Sequence, residues 1–116
     1  MSASASQAAA FYSEVAAHRS LWTIRDGGGF PAPRNHDGAR AQPFWSSKSR
    51  ASLIVSTVPA YAGFEVVEIT WDVFRDRWVP GLERDAILVG INWAGPRATG
   101  YDVAAGDILR NVLALI

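Results

Sequence analysis

The chain has 116 residues, of which 49% are hydrophobic and 19% charged, and its eleven basic residues balance its eleven acidic ones. This size predicts a single globular domain over residues 1–116, with residues 1–6 as a flexible N-terminus. The balanced charge argues against binding to nucleic acid or to an anionic membrane, and the absence of cysteine excludes disulfides and thiolate chemistry.

The first predicted elements are a helix and a strand. Ser4 and Gln7 have the spacing of a capping box, and apolar residues recur every three or four positions over residues 8–15. The helix is expected to end near His18, and the two-residue alternation of residues 20–25 then predicts a strand. Because no basic leader precedes this helix and Glu14 breaks its apolar run, we expect neither a signal peptide nor a membrane span. A cytoplasmic location is expected by default.

The next segment is a long loop that leads into a second strand and a second helix. Residues 30–38 combine two prolines with an Asn-His-Asp-Gly turn signal, so they favour a loop. Residues 39–45 predict a strand at the margin of the sheet, because Pro43 cannot donate to a ladder. Ser46 or Ser47 is expected to cap the second helix. The predicted apolar face of that helix is Ala51, Ile54, Val55 and Val58.

The remaining elements are two strands and two helices. Residues 64–70 are rich in β-branched side chains and predict a strand, after which Thr70 is expected to cap a third helix that Pro80 interrupts. The nearly continuous apolar run of residues 87–93 is typical of a central strand covered on both faces. Asp102 is expected to cap the last helix.

This order of elements predicts an α+β fold, with a single four- or five-stranded mixed sheet and about four helices packed against it. The fifth strand would be residues 97–101, paired with residues 87–93 as a hairpin. The strand-helix-strand units favour a sheet that is parallel in part.

Seven motifs run through the chain in a recognisable order: Gly-Phe-Pro-Ala-Pro at 29–33, Pro-Phe-Trp-Ser-Ser at 43–47 with Ser-Arg-Ala at 49–51, Val-Pro-Ala-Tyr at 58–61, Gly-Phe-Glu at 63–65, Trp-Val-Pro-Gly-Leu at 78–82, Val-Gly-Ile-Asn-Trp at 89–93 and Arg-Ala-Thr-Gly-Tyr-Asp at 97–102. From about Phe11 to Leu109 the chain therefore resembles the small bacterial proteins of the domain-of-unknown-function 2750 family. One departure is Asp85-Ala86, where the resemblance predicts Asp-Gly. The resemblance supports a single bacterial domain and transfers no catalytic residue, because that family has no established activity.

No sequence feature predicts a catalytic residue, a metal or a cofactor. The glycines at 27–29 are followed by Phe-Pro, whereas a phosphate-binding loop is followed by a helix. His18 and His36 have no carboxylate at metal-ligand spacing, and Ser46 and Ser47 lie outside the known nucleophile motifs.

A candidate binding surface is expected where strand ends meet loops, because ligands collect there in open sheets. A buried pair between Asp102 and either Arg97 or Arg40, holding loops together, is the structural alternative for those residues. The predicted surface consists of Arg40, Phe44, Trp45, Ser46, Arg50, Asn92, Trp93, Arg97, Thr99, Tyr101 and Asp102.

Two functional hypotheses follow from this surface. The first is a non-enzymatic protein-binding module, for example an immunity-type or regulatory protein that occludes a partner. The alternative is a small-molecule or anion-binding domain with a cryptic enzymatic activity. A homo-oligomer formed through the edge strand near Pro43 is a further expectation. The pocket of the alternative would be lined by Arg40, Asn92, Arg97, Trp45 and Trp93.

Overall fold

The computed structural model describes residues 3–116, with side chains from Ser6 onward. A short 3-10 turn, Pro59–Tyr61, precedes the third strand. The helices and strands of the described residues follow in the order α1 (Ala3–His18), β1 (Ser20–Arg25), β2 (Ala41–Phe44), α2 (Lys48–Thr57), β3 (Glu65–Thr70), α3 (Trp71–Val73, Phe74–Trp78 and Val79–Arg84 in one continuous helix), β4 (Leu88–Ala94), β5 (Thr99–Val103) and α4 (Ala105–Leu113).

The α+β class is confirmed, but the prediction of a single sheet is wrong. β1 pairs with β3 in an antiparallel two-stranded sheet. A second sheet has the order β2-β4-β5, in which β4 is parallel to β2 and antiparallel to β5. The predicted fifth strand is therefore present, and β4 is the central strand of the larger sheet.

Pro43 explains why the two sheets do not merge. β1 and β2 lie side by side, but their backbones exchange hydrogen bonds only at Trp22 and Trp45, with N···O distances of 2.7 and 2.8 Å. Pro43 has no N–H to continue the ladder, and its carbonyl oxygen instead accepts from Thr23 Oγ1 at 2.8 Å. The Gln42 amide donates to the same hydroxyl oxygen at 3.3 Å. Side-chain hydrogen bonds thus replace the missing backbone ladder between β1 and β2. A second copy of this chain could pair along β2 only by displacing β1.

The larger sheet separates two apolar cores, because successive side chains of a strand point to opposite faces. Val89 and Ile91 of β4 belong to the first core, which α1, α3 and α4 cover. Leu88 belongs to the second core, which α2 covers. Trp93 also lies in the second core, because the register shift between Ile91 and Ala94 interrupts the alternation and turns its side chain to that face. The helices are thus divided between the two faces, with three on one face and one on the other.

Two of the predicted helix caps are confirmed and one is wrong. Ser47 Oγ accepts from the Arg50 N–H at the start of α2, and Thr70 Oγ1 accepts from the Val73 N–H at the start of α3. Asp102 does not cap α4, because β5 continues to Val103 in pairing with β4 and α4 begins only after Ala104. The predicted capping box of α1 rests on a Ser4 side chain outside the described residues.

The predicted interruption of α3 at Pro80 does not occur. Residues Phe74–Trp78 form a π-helical turn, in which the Val79 N–H bonds the Phe74 carbonyl five residues earlier. The turn shifts the hydrogen-bond register just before Pro80, so the missing proline N–H falls at the start of the final helical segment. The helix therefore continues through Pro80 to Arg84.

Within residues 3–116, no helix is both long enough and apolar enough to span a membrane.

Candidate functional site

The structure does not gather the predicted binding residues into one surface. Phe44, Trp45, Ser46, Asn92 and Trp93 are buried, and Arg50 and Asp102 are half-buried. The exposed members of the set are Arg40, Arg97, Thr99 and Tyr101.

The two aromatic residues of β2 and the following corner lie in the interior. Phe44 is 0% exposed in the first core, where its ring packs edge-on against Phe74 and Trp78 at centroid distances of 5.2 and 5.7 Å. Trp45 is also 0% exposed, and its indole N–H donates to the Trp93 carbonyl oxygen at 2.9 Å. Neither ring reaches the surface, so neither can contact a partner in this conformation.

Ser46, Arg50 and Asn92 belong to a network that joins α1, α2 and β4. Arg50 donates to both carboxylate oxygens of Glu14, at 3.2 and 3.1 Å, and to the Gln7 side-chain oxygen at 2.8 Å. Ser46 Oγ lies 2.8 Å from Glu14 Oε1, and the Asn92 amide oxygen accepts from the Ser46 backbone N–H at 2.9 Å. These contacts hold the strand-to-helix corner in place.

The charge of Glu14 is favoured in this network. Burial alone would raise the pKa of Glu14, but hydrogen bonds from Arg50 and Ser46, together with the charge of Arg50, outweigh it. The pKa of Glu14 therefore lies below its ordinary value, and the Glu14 carboxyl stays ionised near neutral pH.

Asn92 also sets the direction of Trp93. Its φ of +45° is left-handed, a conformation that asparagine adopts more readily than most residues, and the pairing of β4 with β5 shifts register between Ile91 and Ala94. The Trp93 ring lies against Gly90, where an added Cβ would be 2.3 Å from its Cε2 atom. A glycine is therefore required at position 90 for this ring position.

Asp102 fixes the same indole from its other end and ties it to a distant loop. Trp93 Nε1 donates to Asp102 Oδ1 at 2.9 Å, and Asn35 Nδ2 donates to Asp102 Oδ2 at 3.0 Å. Asn35 Oδ1 accepts from the backbone N–H groups of Asp37 and Ala39, at 3.0 and 3.1 Å. We call Asn35, Asp102 and Trp93 the clasp.

The predicted alternative of an arginine–Asp102 pair is wrong. The carboxylate oxygens of Asp102 bond the clasp residues, and Arg40 Nε donates instead to the Ala32 carbonyl oxygen at 3.2 Å. Among the described residues, Arg97 forms no hydrogen bond or ion pair.

A cavity of about 290 Å³ lies beside the clasp, and we call it the clasp cavity. Four predicted residues line it, namely Trp93, Arg97, Thr99 and Asp102, whereas Arg40 and Tyr101 do not. The sequence analysis did not predict the residues of the opposite wall of the cavity. Two signals could have pointed to them, namely the turn signal at 35–38 and the tyrosine that ends the Val-Pro-Ala-Tyr motif. The missed lining residues are Pro33, Arg34, Asn35, His36, Tyr61, Ala98 and Gly100.

The polar groups left unengaged around the clasp cavity can each donate a hydrogen bond, and the guanidinium among them can only donate. The guanidinium of Arg97 and the hydroxyls of Thr99 and Tyr61 make no hydrogen bond to another described residue. The acceptor oxygens of Asp102 and Asn35 are already bonded. Burial raises the pKa of the Tyr61 phenol, so it stays protonated. The cavity is therefore chemically complementary to a ligand rich in acceptors.

A second concave region of about 460 Å³ lies between α1, α2 and the turn after β4. Arg50 and Gln7 lie at its polar end, where Glu14 already neutralises the arginine. Leu53, 60% exposed, and Pro96 give it aliphatic walls. We call this region the α2 groove.

Within the described chain, no group of three His, Asp or Glu side chains is close enough to hold a metal ion. A family model described as "Protein of unknown function (DUF2750)" matches residues 8–112. No curated protein matches the sequence.

Proposed function

The chain belongs to the DUF2750 family of proteins of unknown function, and from its own geometry we propose that it is a non-enzymatic binding module for a small anion. The proposed site is the clasp cavity, and the proposed ligand carries a carboxylate or a phosphate group.

The observation that carries this proposal is the unpaired guanidinium of Arg97 at the clasp cavity. Five of the nine other arginines form ion pairs among the described residues, for example Arg50 with Glu14 and Arg84 with Asp85. A hydrogen bond to a charged group contributes at most about 1.5–3 kcal/mol, and less where the group is exposed to solvent as Arg97 is. A guanidinium can bond carboxylate or phosphate through two N–H groups. Arg97 is therefore the proposed anchor.

The size of the clasp cavity limits the ligand. A volume of about 290 Å³ corresponds to roughly ten water molecules at their volume in the liquid. This is near the lower end of ligand pockets, so a small metabolite fits the space better than a nucleotide or a peptide.

The side chains of the cavity support binding in preference to catalysis. Asp102 is poorly suited as a general base, because protonation of either carboxylate oxygen would weaken the hydrogen bond that this oxygen accepts from Asn35 or Trp93. The raised pKa of Tyr61 makes its phenol a poor base as well. The donors are better suited to hold an anion than to move a proton.

A thermal-shift titration with inorganic phosphate and with succinate tests the proposal. At a ligand concentration about a hundredfold above Kd, binding should stabilise the protein by about 2.7 kcal/mol. Arg97→Gln should weaken binding about tenfold, because it removes a charged hydrogen-bond donor. The matched control is Arg77→Gln, which changes an exposed arginine of α3 that forms no ion pair among the described residues. If both variants lose the same affinity for phosphate and succinate, the effect of the arginine is a nonspecific charge effect and the proposal is contradicted.

A protein partner is the second candidate function, in the form of a regulatory or immunity-type protein that occludes its target. The supporting observation is Leu53, a large aliphatic side chain that is 60% exposed on the wall of the α2 groove. A partner recovered by gentle pull-down should be lost with Leu53→Gln and retained with Val73→Gln, which alters another exposed aliphatic residue. Recovery that does not depend on Leu53 would contradict this candidate.

A further inference from the structure

We infer that Asp102 is a positioning residue, and that closing the clasp and binding an anion in the clasp cavity are thermodynamically linked. The inference rests on the proposed function, because it concerns the same cavity. It adds that the carboxylate of Asp102 holds the two walls of the cavity at the separation that the ligand needs.

The clasp joins walls that are far apart in sequence. Asn35 belongs to the loop between β1 and β2, whereas Asp102 lies 67 positions later in β5. Within the part of the chain that the structure describes, no other hydrogen bond connects residues 33–39 with residues 97–103. The Asn35–Asp102 bond is therefore the direct hydrogen bond that sets the distance between the two walls.

The direction of the hydrogen bonds requires an acceptor at position 102. Both Trp93 Nε1 and Asn35 Nδ2 donate, and an ionised carboxylate offers only acceptors. Asn35 cannot reverse its amide without cost, because its oxygen accepts from two backbone N–H groups of the turn. An amide at position 102 can therefore satisfy one of the two donors but not both.

This requirement links the clasp to the ligand. If the anion binds only when both walls are in place, its apparent affinity equals its affinity for the closed clasp multiplied by the fraction of molecules in which the clasp is closed. The ligand in turn stabilises the closed clasp by the same free energy. Electrostatics alone predicts the opposite effect of Asp102→Asn, because removing a negative charge beside the cavity should strengthen anion binding.

A reciprocal exchange of the two side chains tests the linkage. Asp102→Asn should weaken binding of phosphate or succinate about tenfold, since an amide N–H then faces a donor. Asn35→Asp should also weaken binding, because two carboxylates then face each other. The double variant Asn35→Asp with Asp102→Asn restores a donor–acceptor pair in the reverse direction and keeps the net charge. Its affinity should return to within about threefold of the wild type.

A second measurement reports on the clasp without any ligand. Solvent exchange of the Trp93 indole N–H, followed by NMR, should accelerate in Asp102→Asn and slow again in the double variant. Circular dichroism confirms that each variant is folded.

The outcomes separate this inference from the proposed function. Binding by the wild type that Asp102→Asn leaves unchanged or strengthens overturns the inference alone, as does a folded double variant that does not recover. A wild type that binds neither probe overturns the proposed function and the linkage together.

Discussion

The carboxylate of Glu14 ties the first helix to the corner between β2 and α2. It accepts from Arg50 and Ser46, and Arg50 in turn bonds Gln7. These three contacts span 32 to 43 positions in sequence, so they stabilise the tertiary arrangement and not a single helix. The pair is partly buried, so its contribution should lie between that of an exposed salt bridge and that of a fully buried one.

We expect Glu14→Gln to lower the free energy of unfolding by about 1–2 kcal/mol near neutral pH, because it removes the charge that Arg50 faces. The pKa of Glu14 is lower in the folded state than its ordinary value of 4.5. The stabilisation by the ionised Glu14 carboxylate is therefore fully present above pH 4.5, and it is lost as the pH falls through the pKa of the folded state. Urea titrations above and below pH 4.5 measure both effects.

The control for Glu14→Gln is Glu83→Gln, which changes an exposed glutamate of α3. It should alter stability by less than about 0.5 kcal/mol. A Glu14→Gln variant with the pH dependence of the wild type would contradict the role assigned to this carboxylate.

Among the elements, the end of α3 carries a strained residue. Ala86 has a φ of +55°, and the N–H groups of Ala86 and Ile87 bond the carbonyl oxygens of Glu83 and Leu82 to close the helix. A glycine adopts this left-handed conformation without the steric cost that a Cβ imposes. Glycine is also the residue that the family resemblance predicts at this position.

We expect Ala86→Gly to raise the free energy of unfolding by about 0.5–1 kcal/mol, because relief of strain exceeds the added entropy of the unfolded chain. The matched control is Ala62→Gly, at an exposed position with a φ of −59°. Because Ala62 has no strain to relieve, the Ala62→Gly substitution should lower the free energy of unfolding by about 0.4–1 kcal/mol. Thermal unfolding of both variants decides the matter, and equal destabilisation would show that Ala86 is not strained.

On the scale of the whole molecule, the two apolar cores share one sheet. Ile108 belongs to the core under α1, α3 and α4, and Ile54 belongs to the core under α2. β4 supplies side chains to both, so neither core can lose its packing without exposing part of the other. The single domain over residues 1–116 stays a prediction, and cooperative unfolding is its expected consequence.

We therefore expect two-state unfolding, in which tryptophan fluorescence and far-ultraviolet circular dichroism give the same midpoint. Ile54→Val and Ile108→Val should each lower stability by about 1 kcal/mol and shift both signals together, because each removes one buried methyl group. Urea titration of the two variants provides the comparison. A variant that shifts only one signal would indicate two units that unfold separately.

Much of the fold could be predicted from local sequence patterns. The caps at Ser47 and Thr70, the central strand near residues 88–94 and the position of β2 at the margin of its sheet all depend on residues within a few positions of one another. The π-helical turn before Pro80 was missed, because a proline inside a helical pattern normally ends it.

The candidate site was predicted only in part. Arg97, Thr99 and Asp102 lie close together in sequence and line the same cavity, but Asn35 and Tyr61 reach it from distant segments. Phe44 and Trp45 were placed on the surface because they lie where a strand end meets a loop, whereas both rings fill the cores.

The sequence by itself determined most of the elements, the caps at Ser47 and Thr70 and the family, because hydrophobic periodicity, capping and family motifs act over short stretches of chain. The tertiary structure alone decided that β1 and β2 meet only at one backbone pair, that Gly90 makes room for Trp93, and that Asp102 serves a clasp and not a helix cap. The physical reason is distance along the chain: the Asn35–Asp102 contact spans 67 positions, and no local pattern specifies which donor a carboxylate so far away will meet.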